Sequence, residues 1–148
     1  MDDAAYRAAQ RAANHAHCVF EKALIMRCVT CELASRHALA ERESVACTSP
    51  VARTNCETFL GLLSERAAFS LKLSRSEAFI PHAITMKLQC GGLAGLQHVL
   101  LAKEPDVHQL VAAAQRRWGS LLDLPWPEIV RVVAAWQGRR RGPSQKKT

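Results

Sequence analysis

The first 49 residues of this chain contain no proline and the first 60 contain no glycine. Without those two punctuators, and with alanine, arginine, glutamate and leucine in abundance, the opening third reads as long helices. Ala5, Ala8, Ala9, Ala12 and Ala13 recur at three- and four-residue spacings between Asp2 and Asn14. The stripe resumes through Phe20, Leu24, Met26, Cys28, Cys31 and Ala34, so any break falls near Asn14-His15.

Signals for starting and stopping helices come later. Ser49-Pro50 pairs an N-cap residue with a proline suited to the first helical position, and predicts a helix running towards Leu73. Pro81 predicts another, ended by Gly91-Gly92 directly after Cys90. A short helix over Leu93 to Leu101, a break at Glu104-Pro105-Asp106, a helix from Val107 to Trp118 and a last element from Pro127 to Gly138 complete the series. Ile129 to Val133 is the nearest approach to a strand, and Ala134-Ala135-Trp136 continues it at helical spacing. The expected fold is all-α: a single compact helical domain of six or seven helices over residues 1–138, with a short disordered basic tail over 139–148.

Of the seven net positive charges, five belong to Arg139, Arg140, Arg141, Lys146 and Lys147. The body is thus nearly neutral, and the tail is the one segment suited to binding nucleic acid through its phosphates. Gln115-Arg116-Arg117 is too local to serve as a recognition face. No run approaches the roughly 20 apolar residues of a membrane span, and the acidic start Asp2-Asp3 lacks the order of a secretory signal, so a cytoplasmic location with reduced thiols is expected.

The chemistry lies in the cysteines. Cys28 and Cys31 form a C-x2-C pair, Cys47 follows after fifteen residues and Cys56 after eight more, with Cys90 at the double glycine. The first pair and first interval suit a zinc framework, but the last gap is too long, and a C-x2-C inside a helix departs from the tight turns of zinc ribbons. The expectation is therefore a cluster of the [4Fe–4S] kind, or failing that zinc, held by Cys31, Cys47, Cys56 and Cys90 with Cys28 as substitute. Cys18 is assigned to packing. A cluster would make the chain an electron carrier or sensor with a redox or regulatory protein partner.

Other readings are weaker. The mid-helix position expected for Cys28-Val29-Thr30-Cys31 disfavours dithiol exchange at that pair. His15, His17 and Cys18 sit close enough to suggest a metal site, while His37, His98 and His108 have no visible partner. Cys90-Gly91-Gly92-Leu93-Ala94-Gly95 suits close helix packing better than an anion-binding turn. No nucleophile, general-base or phosphate-loop motif occurs. The alternative from a different class is a metal-free helical adaptor that binds a partner protein or nucleic acid through the basic tail and the tryptophan-rich last third, where Trp118, Trp126 and Trp136 lie.

Overall fold

The computed structural model describes residues 16–72 and 81–138. The expected helix over Asp2 to Asn14, its junction near Asn14-His15, and the basic tail fall outside them. Helix α1 spans only Glu21–Ile25, because Arg27 takes a left-handed conformation at φ 64° and turns the chain out of the helix. Cys28 and Cys31 therefore lie in a connection and not on a helix.

Strand β1 (Ala34–Leu39) then pairs antiparallel with β2 (Arg42–Cys47), in a register that sets Ala34 opposite Cys47 and Leu39 opposite Arg42. The expected all-α domain of six or seven helices is overturned by this hairpin. Its two-residue turn is Ala40-Glu41, with both residues at positive φ, 52° and 67°, as a type I′ turn requires. That conformation is normally announced by Asn-Gly or Asp-Gly, so the sequence withheld the signal.

A third extended segment borders the other edge of β2. The Cys18 amide donates to the Val45 carbonyl at 3.0 Å, the Cys47 amide donates to the Ala16 carbonyl at 2.8 Å, and His17 bridges Ala46. Helix α2 follows over Pro50–Ala67, with the Ser49 hydroxyl accepting from the Ala52 amide and Pro50 in the first turn, as the sequence predicts. It ends short of Leu73, which lies outside the described residues.

Pro81 introduces α3 (His82–Met86), which passes through a π-helical turn (Lys87–Gly91) into α4 (Gly92–Leu100). The expected stop at Gly91-Gly92 does not occur. These glycines serve close packing instead: a Cβ on Gly91 would lie 3.0 Å from Trp136 Cβ, and one on Gly92 would overlap the Leu63 side chain. The helix ends at Leu101, in the left-handed conformation at φ 55°.

Asp106 caps α5 (Val107–Trp118), a 3-10 turn covers Leu121–Asp123, and α6 (Trp126–Ala135) closes the described chain. The core joins both halves of the structure. Phe20, Leu24 and Val45 pack with Phe59 and Leu63 of α2, Leu93 and Leu96 of α4, Leu110 of α5 and Ile129 and Val133 of α6. Phe59 stands between the rings of Phe20 and Trp126, with centroids 6.1 and 5.8 Å away. Trp126 is buried and donates its indole N–H to the Leu121 carbonyl, so it seals the core. No described helix is long and apolar enough to cross a membrane.

Candidate metal centre

Strand register places the first two thiols on one face of the sheet. Residues directly opposite one another across an antiparallel pair share a face, and alternate residues of one strand do so as well. Cys18 lies opposite Val45, and Val45 shares its face with Cys47 two residues on. That face looks inward, since Val45 is fully buried.

Cys31 is brought to the same corner by the mouth of the hairpin. Its carbonyl accepts from the Ala34 amide at 3.2 Å, and Ala34 pairs with Cys47. The Leu33 carbonyl accepts from both the amide and the hydroxyl of Thr48, which closes the mouth from the β2 side. Cys56, on the second turn of α2 and half-buried against the core, supplies the fourth thiol.

Burial and neighbouring thiols raise three of these sulfurs, Cys18, Cys31 and Cys56. Burial pushes the Cys18 thiol up to about 11 against a hydrogen bond from the Phe20 backbone, and Cys31 and Cys47 raise it further. Burial likewise pushes Cys56 up to about 12, with Cys18, Cys31 and Cys47 adding to the effect. Cys31 is raised mainly by burial, against hydrogen bonds from the backbone N–H groups of Leu33 and His108, while Asp106 and Cys47 raise it. All four are free and half-buried, each from a different segment of chain.

The loop bearing Cys31 is clamped to the start of α5. The Thr30 amide donates to the Pro105 carbonyl at 3.0 Å, and the Val107 amide donates to the Thr30 carbonyl at 2.8 Å. Asp106 uses both carboxylate oxygens: Oδ1 accepts from the Gln109 amide at 3.0 Å as the helix cap, and Oδ2 accepts from the Glu32 amide at 2.8 Å. Glu32 in turn meets His108 Nδ1 at 2.5 Å and accepts from Gln109 Nε2 at 3.2 Å. The hydrogen bonds from His108 and Gln109 hold the Glu32 carboxyl below its ordinary value.

Glu32, Asp106 and His108 form the one set of three metal-ligating side chains among the described residues whose ligand atoms lie within 4.8 Å of one another. Glu32 and His108 border a cleft of about 450 Å³ together with Lys103, Gln109 and Arg116. Every carboxylate oxygen of the trio already has a hydrogen-bond partner, so the group acts as a brace between the Cys31 loop and α5. Local spacing carries no sign of it, because Glu32 and His108 are 76 positions apart in the chain.

The expected ligands thus divide. Cys31, Cys47 and Cys56 share a corner, while Cys28 and Cys90 are joined to each other as a disulfide with Cα atoms 6.0 Å apart. Cys18, assigned from sequence to packing, does pack half-buried against the core, on the same face of the sheet as Cys47. The signal that finds it is strand pairing, invisible once the segment is read as helix. His17 binds Glu21 at 2.7 Å instead of joining a metal site with Cys18, and His15 lies outside the described residues.

No protein-family model, curated protein or solved structure matches this chain.

Proposed function

We propose that the chain is a metal-binding protein that carries an iron–sulfur cluster on Cys18, Cys31, Cys47 and Cys56, with a redox or sensing role. The reading rests on one observation: four free, half-buried thiols from four segments stand within electrostatic reach of one another in a single corner of the fold. Unpaired cysteines are common in cores, but four gathered from separate segments at one corner are the supply of thiolates that a metal centre needs.

A cluster and a zinc ion ask for different sulfur spacings. Zinc–sulfur bonds of about 2.3 Å hold tetrahedral sulfurs about 4 Å apart, whereas a cubane gives each cysteine its own iron and spreads the four more widely. No three of these sulfurs fall within the 4.8 Å that unites the Glu32 trio among the described residues. Backbone N–H groups of Leu33 and His108 directed at Cys31 are of the kind that tune a cluster's potential.

Thiolates needed by a cluster must stay reduced, which fits a cytoplasmic home, and its electrons would pass to a redox or regulatory protein partner. Anaerobic purification, followed by visible absorption and by assay of iron, sulfide and zinc, tests the assignment. Iron with sulfide, lost in Cys18→Ser and Cys56→Ser but kept in Cys28→Ser, is the expected result. One zinc per chain would replace the cluster with a structural ion, and a metal-free protein would refute the proposal and leave the adaptor, with its basic tail on nucleic acid or a partner.

A further inference from the structure

The remaining two cysteines are chemically unequal. Cys28 is exposed on the connection that follows Arg27, whereas Cys90 is 2% exposed inside the π-helical turn. Cys28 also borders a cavity of about 330 Å³ with Met26, Ala83, Met86, Lys87, Trp136 and Gln137, walls that are mostly apolar. An incoming thiolate therefore has a path to the Cys28 sulfur and none to that of Cys90.

The π-helical turn is what brings the buried partner across. Such turns interrupt the regular hydrogen-bond ladder and recur where a helix must present a residue out of register. Here the turn carries Gln89 and Cys90 together: Gln89 Oε1 accepts from the Ala23 amide at 3.0 Å, and Cys90 bonds to Cys28. One helical turn thus grips the middle of α1 and the connection that follows it, one grip being a hydrogen bond and the other reducible.

We infer that Cys28–Cys90 is a thiol–disulfide exchange site, attacked at Cys28, whose substrate is the dithiol of a partner protein. A partner thiolate attacks Cys28 Sγ and forms a mixed disulfide, while the Cys28–Cys90 bond breaks and its electron pair leaves with Cys90, which takes a proton from water. The partner's second thiol, deprotonated to solvent, attacks its own sulfur in the mixed disulfide and expels Cys28 as a thiolate, which is then protonated. The partner dithiol is oxidised to a disulfide, and Cys28 and Cys90 are reduced by the same two electrons. The activity stands without a metal. Its coupling to Cys31, three residues beyond Cys28, rests on the cluster proposal.

Thiol mapping on the intact chain tests it. Alkylation of the unfolded, metal-free protein without reductant should leave Cys28 and Cys90 unmodified, and dithiothreitol added to the folded protein should reduce the pair, so that Cys28 is alkylated at once and Cys90 when the protein is afterwards unfolded. In the single variants, Cys28 of Cys90→Ser should react about tenfold faster or more than Cys90 of Cys28→Ser, and should be trapped by a dithiol protein that lacks its second cysteine. Free thiols at both positions without reductant would overturn the inference. So would reduction only after unfolding, which marks an inert staple, or equal reactivity of the two sulfurs. Wild-type reduction decides the matter even if a serine variant fails to fold, and failure of the cluster assay leaves these readouts intact.

Discussion

Replacing Asp106 by alanine should weaken both the fold and the metal site, by amounts the geometry sets. Loss of the cap on the Gln109 amide costs about 1 kcal/mol. The second bond, from the Glu32 amide to a charged oxygen, is worth about 1 kcal/mol at this half-exposed position, below the range for buried charged partners. The sum of about 2 kcal/mol corresponds to a Tm lowered by roughly 5–10 °C for a chain of this size. The portion that holds the Cys31 loop must then be recovered on binding, so affinity for cobalt(II), a spectroscopic probe of thiolate ligation, should fall about fivefold. Asp106→Asn separates the effects: asparagine caps as well as aspartate but forfeits the charged acceptor, so it should lose about half as much stability as Asp106→Ala and show the same fall in affinity. Thermal melts and cobalt titrations of the three proteins suffice. An alanine variant that melts lower yet binds cobalt within twofold of wild type would show that the clamp serves only α5, and would refute the link between brace and ligand.

Other outcomes follow from single positions. Gly92→Ala drives a methyl into Leu63 and should cost about 1–3 kcal/mol in urea unfolding, whereas Gly61→Ala, exposed in α2 with open space at its Cβ, should stabilise by up to about 1 kcal/mol. The double variant Cys28→Ser/Cys90→Ser frees a loop spanning a separation of 62 residues and should lower stability by about 4 kcal/mol under non-reducing conditions. Burial opposes ionisation of Glu21, but hydrogen bonds from His17, Val45 and Ser44 outweigh it and hold the carboxyl below its ordinary value near 4.5. Its contribution is therefore present above that value and lost as pH falls through the lower folded one; Glu21→Gln should flatten that part of the acid limb in pH-dependent melts.

Elements marked by local chemistry were legible in the sequence. Ser49-Pro50 announced the start of α2, and the break at Glu104-Pro105-Asp106 set off the segment Val107 to Trp118, which is α5 with those bounds. The hairpin was not legible, because its turn residues, alanine and glutamate, adopt positive φ against their preference and are held there by pairing across the strands. Reading that stretch as helix carried a second error with it. On a helix Cys28 and Cys31 share a face, whereas in the extended connection one sulfur turns to Cys90 and the other to the hairpin mouth. Cys47 and Cys56 kept their places because both are tied to the α2 start.

The way the first 32 described residues are held explains why cysteines gather there. Residues 16–47 offer only Phe20, Leu24, Val29 and Val45 as large buried side chains, a core too small to hold a hairpin and one short helix by itself. Fixed polar and covalent ties supplement it: Glu21 on the Val45 amide, Arg36 on the Leu24 carbonyl, Asp106 on the Glu32 amide, and Cys28 on Cys90. Small units of this kind are commonly completed by disulfides or metals. The four free thiols sit where three of these segments meet α2. A metal centre bound there would join the Cys18 segment, the hairpin mouth, the end of β2 and α2 at one point. Its binding energy would then be folding energy for this half of the chain. Hydrogen exchange on the metal-free and loaded proteins should accordingly differ most at the amides of Cys18, Ala34 and Cys47 and least in α4 and α6, and uniform protection would separate the centre from the fold.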